Sequence, residues 1–561
     1  MIERGASFED ICASFTWDIP ERYNIGIDIC DKWADADPDR LAVIDVAPSG
    51  DVRRYSFCAL RTASNQLANA LEEDGVSRPS GTLGDRVGVL LPQCVETALA
   101  HIAVTKMGCI SIPLFTLFGR DALLHRLKDS GAKAVITNRE GAQTLSGLRG
   151  ALPDLKVVYS IDGAAPGVAD FAERCAAQSE AYEAIDTHSE DPALLIYTSG
   201  TTGHPKGALH AHRVLLGHLP GVELSHDFLP HAGDLFWTPA DWAWIGGLLD
   251  VLMPALHHGI PVLGCRFRKF TAEAAFALLK THGIRNAFLP PTALKLMKLL
   301  PDAAGQGVSL RSVGSGGETL GAELTAWGRS ALGATINEFY GQTECNMVVT
   351  SCAALEDPRP GSMGRAAPGH SVAIVDQDTG QTLPPETEGA IAVQWPDPVM
   401  FLRYWNNPDA TEAKYVSGPD GTWLLTGDRG TQDADGRFYF LGREDDVITS
   451  AGYRIGPAEI EDCLLKHDAV KLAGVVGQPD DLRGTIVAAY IVLRDGVEPS
   501  DALAEEIAHY VKGELAAHEY PRVVRFIEEM PMTTTGKVVR RHLRDWAAEA
   551  TAAASDRGRQ S

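Results

Sequence analysis

Residues 197–207 read YTSGTTGHPKG and follow the apolar run ALLIY. Eleven residues hold three glycines, three threonines, one serine and one lysine. Glycine lets backbone approach a ligand closely, so Gly200 and Gly203 suit a cradle. Thr198, Ser199, Thr201 and Thr202 offer hydroxyl donors, and Lys206 adds a full positive charge. A strand opening into such a loop is built to wrap polyanionic oxygens. It is not a Walker A loop, which needs GxxxxGK and then Ser or Thr; here Lys206 comes three residues after Gly203 and precedes Gly207. The plainer alternative is a flexible Gly/Thr turn, but composition, length and the preceding strand all favour the cradle.

Further segments follow in order: EFYGQTE at 338–344, TGD at 426–428, GREDD at 442–446 with SAGYRIGPAEIE at 450–461, and TGK at 535–537. Together with the loop they resemble the motifs of the adenylate-forming (AMP-binding) superfamily. The resemblance covers nearly the whole chain and is to the acyl-CoA synthetase branch, with its acetyl-CoA and medium-chain acyl-CoA synthetases. It implies ATP-dependent activation of a carboxylic acid to acyl-AMP with release of pyrophosphate, then transfer to CoA with release of AMP. The implied cofactors are ATP, Mg²⁺ and CoA. The partners are the small-molecule acid, ATP and CoA.

The chemistry explains the residue types. A carboxylate is a poor acyl donor because its leaving group would be oxide. Coupling to AMP creates a mixed anhydride that a thiolate can attack. That requires a clamp on the outer phosphates, a cation at the α-phosphate, a nucleoside pocket and an acyl pocket. By resemblance, the loop with Lys206 supplies the clamp. Glu344 holds Mg²⁺, as suits a hard cation bridging phosphate oxygens, and Thr343 bonds the α-phosphate. Asp428 accepts the ribose hydroxyls, with Arg443 on the other side. Tyr340 lies against adenine, beside Gly317 and Glu318 of a GSGGE segment that also reads as an ordinary turn. Lys537 neutralises charge during adenylation. Asp445 is the hinge; rotation about it withdraws Lys537 and brings in the loop of Gly452 and Arg454 for the thioester step. Lys537 also lies in a segment resembling targets of a lysine acetyltransferase and deacetylase.

The acyl pocket carries this chain's own signal. Acetyl-CoA synthetases have a tryptophan in the Thr-Glu motif where this chain has Gly341, so an enlarged pocket is expected, for a medium-chain, branched or aromatic acid. The segment TPADWAWIGG at 238–247 matches the family's acyl-binding motif. It offers Trp242 and Trp244 as walls beside Gly246, although tryptophan is equally a core residue. The cluster of Arg266, Arg268 and Lys269 reads as a solvated basic face rather than a CoA site.

These residues need elements to position them. RVGVLLP, CISIPL, AKAVITN and ALLIY read as buried strands, with VETALAHIAVTKMG and DALLHRLKDSG as helices between. Such alternation implies doubly wound α/β layers. After residue 360 Pro and Gly rise and strands shorten, indicating a β-rich subdomain. After Asp446 comes a compact α+β unit. The expected fold is therefore α/β plus α+β: a large N-terminal domain over 1–441, a hinge at 442–445 and a small mobile C-terminal lid over 446–561. The last stretch, AAEATAAASDRGRQS, reads as a frayed tail.

The chain of 561 residues exceeds a single ordinary core. A formal net charge of -24 argues against nucleic acid and anionic membrane as partners. Ten scattered cysteines without a CxxC pair indicate neither a metal site nor a disulfide framework. His257 with His258, and His210 with His212, read as packing or surface histidines. No apolar run reaches the length of a membrane span. The acidic N-terminus resembles neither a secretory signal nor a transit peptide, so a cytoplasmic location is expected. No room for a carrier domain follows Lys537, which favours free CoA as acceptor. Two rival readings stay open: an acyl-AMP ligase loading a separate carrier protein, and a non-catalytic ligand-sensing relative.

Overall fold

The computed structural model describes residues 2–5, 7–198, 205–267, 270–318, 320–443, 446, 448–450, 453–480, 484–515, 520–533 and 537–559. Ser199, Gly200, Thr201, Thr202, Gly203, Asp445 and Gly452 lie outside the described residues, as do Arg268 and Lys269. The chain divides into two compact units. One comprises residues 1–372, 393–415 and 422–424; the other comprises 373–392, 416–421 and 425–561.

The first unit is built on two sheets. The eight-stranded sheet centres on parallel strands: Arg86–Leu90 lies between Ile110–Pro113 and Ala134–Thr137. These strands read VGVL, ISIP and AVIT and are buried almost throughout, as continuous apolar strands covered on both faces must be. The helix Val95–Lys106 is buried nearly all round and packs into the same layer. At the opposite edge from Val157–Ser160 the sheet turns antiparallel. There β1 (Pro192–Thr198) pairs with β2 (Lys206–Ala211). Helix α1 (Val214–Ser225) follows β2.

The second sheet of this unit runs through the parallel strands Leu41–Val46, Val262–Cys265, Phe236–Trp237, Asn286–Phe288, Ser312–Gly316 and β3 (Ile336–Gln342). Beyond β3 it becomes antiparallel with β4 (Asn346–Thr350). The two-residue strand β5 (Arg403–Tyr404) returns to the first sheet and pairs with β2.

The second unit contains the hairpin of β6 (Gly421–Gln432) and β7 (Arg437–Arg443). It also holds helix α2 (Pro457–Leu464) and the antiparallel pair Val470–Asp480 and Gly484–Leu493, with Val523–Phe526 added in parallel. Its last element, helix α3, spans Arg540–Arg559. The tail expected to fray is thus helical to Arg559. Its run AAEATAAA consists almost wholly of strong helix formers, and that propensity outweighs terminal fraying. Among the described residues no helix is long and apolar enough to cross a membrane.

Candidate active site

The phosphate-loop strands are fixed by register. Tyr197 faces Gly207 and Thr198 faces Lys206 across the β1–β2 pair. Thr198 Oγ1 donates to the Lys206 carbonyl at 3.4 Å. Along the other edge of β2, Leu402 N–H donates to the Leu209 carbonyl and Trp405 N–H to the Gly207 carbonyl, each at 2.7 Å. This pairing sets Tyr404 beside the lysine. The Lys206 ammonium stands 4.9 Å from the Tyr404 ring centroid, within cation–π range. A cleft of about 330 Å³ opens here, with His125, Asp129, Pro205, Lys206, Trp405 and Asn406 in its wall.

Thr343 and Glu344 occupy the tight turn between β3 and β4. The Glu344 carbonyl accepts from Phe401 N–H at 2.9 Å. The Glu344 carboxylate accepts from the Tyr404 hydroxyl. Glu344 is buried, and a buried carboxylate requires such a donor. Tyr404 therefore touches both the lysine that ends the loop and the acid expected to hold the metal. Sequence reasoning missed it. The available signal was the aromatic doublet Tyr404-Trp405 set before Asn406-Asn407, a strand end entering a turn.

A buried relay holds the base of this turn. His218 Nδ1 accepts from Met347 N–H at 3.3 Å, and its Nε2 lies 2.8 Å from Asp250 Oδ1. With Nδ1 accepting, the ring proton sits on Nε2, and that N–H donates a hydrogen bond to Asp250. Burial raises the Asp250 carboxyl while the bond and charge of His218 lower it; burial prevails. His210 and His212 are fully buried, and burial pushes each down to about 3, so both are neutral.

Gly341 requires a correction. A Cβ built there would lie 1.5 Å from the Asn346 carbonyl oxygen and 2.9 Å from Met347 Cα. The missing side chain opens no acyl volume. It permits β4 to cross β3 closely at a register shift between Tyr340 and Gly341. Trp242 also differs from a pocket wall. It exposes no surface and packs its indole over Gly264, whose Cβ would meet Trp242 Cη2 at 2.9 Å. Trp244, by contrast, is half-buried. Its ring centroid lies 6.3 Å from that of Phe288, and Phe288 lies 5.4 Å from Phe339. Gly246 abuts this row: a Cβ there would sit 2.8 Å from Phe288 Cε1 and 3.2 Å from Trp244 Cζ3. Phe288 and Phe339 are themselves buried in the core, and only Trp244 at the end of the row keeps exposed surface. Next to the row, burial lifts the Asp241 carboxyl to about 6, against the Ala243 N–H and the Arg266 charge.

The segment expected near adenine is the end of the strand Ser312–Gly316, parallel to β3 with Gly316 opposite Phe339. Gly317 adopts φ 89°, a conformation that favours glycine. Glu318 accepts from the Thr292 hydroxyl at 3.0 Å. Tyr340 is buried on β3.

Within the second unit, Asp428 faces Arg443 across the β6–β7 pair. Arg443 Nε stands 3.5 Å from Asp428 Oδ1. Thr426 Oγ1 donates to the Ile391 carbonyl and accepts from Asp428 N–H at 3.2 Å, which fixes the TGD turn. Arg454 lies on the strand Tyr453–Ile455. Lys537 closes a hairpin in which its carbonyl accepts from Thr533 N–H at 2.7 Å and its N–H donates to Thr533 Oγ1 at 3.0 Å.

Known proteins resemble this chain in sequence and fold. The family profile described as AMP-binding enzyme matches residues 30–405, and the one described as AMP-binding enzyme C-terminal domain matches 459–537. The acetyl-coenzyme A synthetase of Bacillus subtilis (strain 168) is 34% identical over 88% of this chain and 85% of its own. The mitochondrial acyl-coenzyme A synthetase ACSM4 of Homo sapiens is 33% identical over 94% of this chain and 91% of its own. Among solved structures, the anthranilate CoA ligase AuaEII in complex with anthranoyl-AMP gives a TM-score of 0.84 at 28% identity, covering 95% of this chain and 99% of that one. The mixed α/β fold, with a large N-terminal and a small C-terminal domain, is that of the adenylate-forming enzymes. The chain belongs to the AMP-binding enzyme family, in its acyl-CoA synthetase branch, and is an AMP-forming acid–thiol ligase. ATP and CoA are substrates of that family.

Proposed function

We propose that this ligase acts on an aromatic, branched or medium-chain carboxylic acid in preference to acetate. The observation that carries this reading is Trp244, half-buried and stacked at the end of a buried aromatic row through Phe288 and Phe339. A flat apolar ring backed by packed aromatics favours an extended or aromatic acyl group by contact area. The names of similar proteins diverge on this point, from acetyl-CoA synthetase to anthranilate CoA ligase, so the chain's own side chains have to decide.

In this reading the carboxylate attacks the α-phosphorus of ATP and pyrophosphate leaves. The CoA thiolate then attacks the acyl carbon, and AMP departs with one carboxylate oxygen. Lys206 and the hydroxyls of the preceding loop hold the outer phosphates. Glu344 suits Mg²⁺: it is a buried carboxylate oriented by a hydroxyl, and Mg²⁺ is ordinarily held by one or two carboxylates together with substrate phosphates. When bound, the ion would neutralise phosphate charge. Asp428 and Arg443 take the ribose hydroxyls, and Tyr340 and Gly317 the base. Lys537 stabilises charge during adenylation and is withdrawn by rotation at Asp445, when Gly452 and Arg454 serve the thioester step. Acetylation of Lys537 by an acetyltransferase, reversed by a deacetylase, would remove that charge.

A pyrophosphate-release screen tests the substrate. Benzoate, hexanoate and a branched acid should each exceed acetate in kcat/KM when CoA is present. Preference for acetate would overturn the reading.

A further inference from the structure

Lys537 stands at the end of a short hairpin, and what anchors that hairpin is visible. Val539 N–H donates to the Pro531 carbonyl at 2.8 Å, and Met532 bridges to Val538. The second limb then runs directly into α3, three residues after the lysine. Arg540 and Arg544, one turn apart at the start of α3, grip two acids. Arg540 Nη2 lies 2.5 Å from Glu461 Oε2, and its Nη1 lies 3.6 Å from Asp446 Oδ2. Arg544 Nη1 lies 2.5 Å from Asp446 Oδ1. Glu461, on α2, also accepts from Val475 N–H at 2.8 Å. Asp446 in turn donates its own N–H to the Arg443 carbonyl at 2.9 Å.

Asp446 is thus held on one side to the end of β7 and on the other to the helix that follows Lys537. Its side chain is 9% exposed, and those of Arg540 and Arg544 are 23% and 33% exposed. Pairs this sheltered are screened less than surface pairs, and removing one partner leaves a charge stranded. Arg540 also grips Glu461 bidentately, with Nε donating to Oε1 at 3.3 Å beside the Nη2 contact, and such a grip fixes direction as well as distance.

We propose that Asp446 is a positioning residue for Lys537. Through Arg540 and Arg544 it sets the root of the lysine hairpin, so that the ammonium is presented in one place during adenylation. The inference rests on the reading that Lys537 acts in adenylation and not in thioester formation.

The test compares Asp446→Asn, Lys537→Ala and the double variant in both half-reactions of the full-length enzyme. Acyl-adenylate formation is read by pyrophosphate release, and thioester formation is read from synthetic acyl-AMP with CoA. A small misplacement of a reacting group costs up to about a hundredfold. Asp446→Asn should therefore lower adenylation by about tenfold to a hundredfold and leave the second half-reaction within about threefold. On the Lys537→Ala background it should add no further loss, because it acts through the lysine. Full adenylation by Asp446→Asn beside a dead Lys537→Ala would overturn the inference and leave the lysine's role standing. Equal loss of both half-reactions would also overturn it, by showing a general structural role. Normal adenylation by Lys537→Ala would remove the lysine reading, and the inference with it.

Discussion

At the scale of single residues, Tyr404 and Gly341 change the account most. The Tyr404 hydroxyl donates to Glu344, and its ring faces the Lys206 ammonium. Tyr404→Phe should keep the ring and lose the donor, so adenylation should fall by about tenfold and the apparent Mg²⁺ requirement should rise. Glu344→Gln should show the same signature more strongly. An Mg²⁺ titration unchanged in both variants would remove the pair from the metal site. At Gly341 a side chain would collide with the Asn346 backbone. Gly341→Trp should therefore not redirect the enzyme toward acetate. It should lower the melting temperature and depress activity on acetate and benzoate together; a clean gain on acetate would show that β4 can move aside. Residue types and spacing single out Lys206, Glu344, Asp428 and Lys537 in the sequence, because few other chemistries need them. A glycine does not announce whether its missing side chain leaves room for a ligand or for backbone.

At the scale of elements, the turn carrying Thr343 and Glu344 depends on α1. His218 Nδ1 of α1 accepts from the Met347 N–H, and its Nε2–H donates a hydrogen bond to Asp250. His218→Leu would leave that N–H and the Asp250 carboxylate without partners in the core, a loss of roughly 1–3 kcal/mol for each buried group. The expected result is a lower melting temperature with a larger fall in adenylation than in substrate KM; an unchanged kcat would detach the relay from the turn. The buried strands of the first sheet were legible because AVIT and VGVL are apolar on both faces. The β3–β4 crossing was not, because register and bulges arise from pairing between strands. The helical tail differs from the frayed end its terminal position suggests, because its alanine content outweighs fraying.

At the scale of the whole molecule, the change in texture after residue 360 was legible from glycine, proline and short strands. The grouping of 373–392 and 416–421 with everything after 425 was not, because the chain enters and leaves that unit more than once. The first unit is joined internally by ionic pairs across distant segments. Burial pushes the Asp28 carboxyl up, but its bond and charge with His257, then Lys32, outweigh this and take it down to about 2. A carboxyl lower in the folded state than its unfolded value near 4 contributes stability above that value. The contribution is lost as pH falls from about 4 toward 2. Asp28→Asn should therefore cost about 2 kcal/mol at pH 7 and flatten the acid limb of a stability profile; equal acid sensitivity in both proteins would discount the pair.

The central claim is that an aromatic or medium-chain acid passes through its adenylate to CoA. It is tested most directly with carboxyl-¹⁸O-labelled benzoate and hexanoate, following the label by mass spectrometry beside labelled acetate. The account predicts one labelled oxygen in AMP, with acetate turned over at least about tenfold more slowly, as a few methylenes of pocket contact would give. Label in pyrophosphate, or faster turnover of acetate, would contradict it.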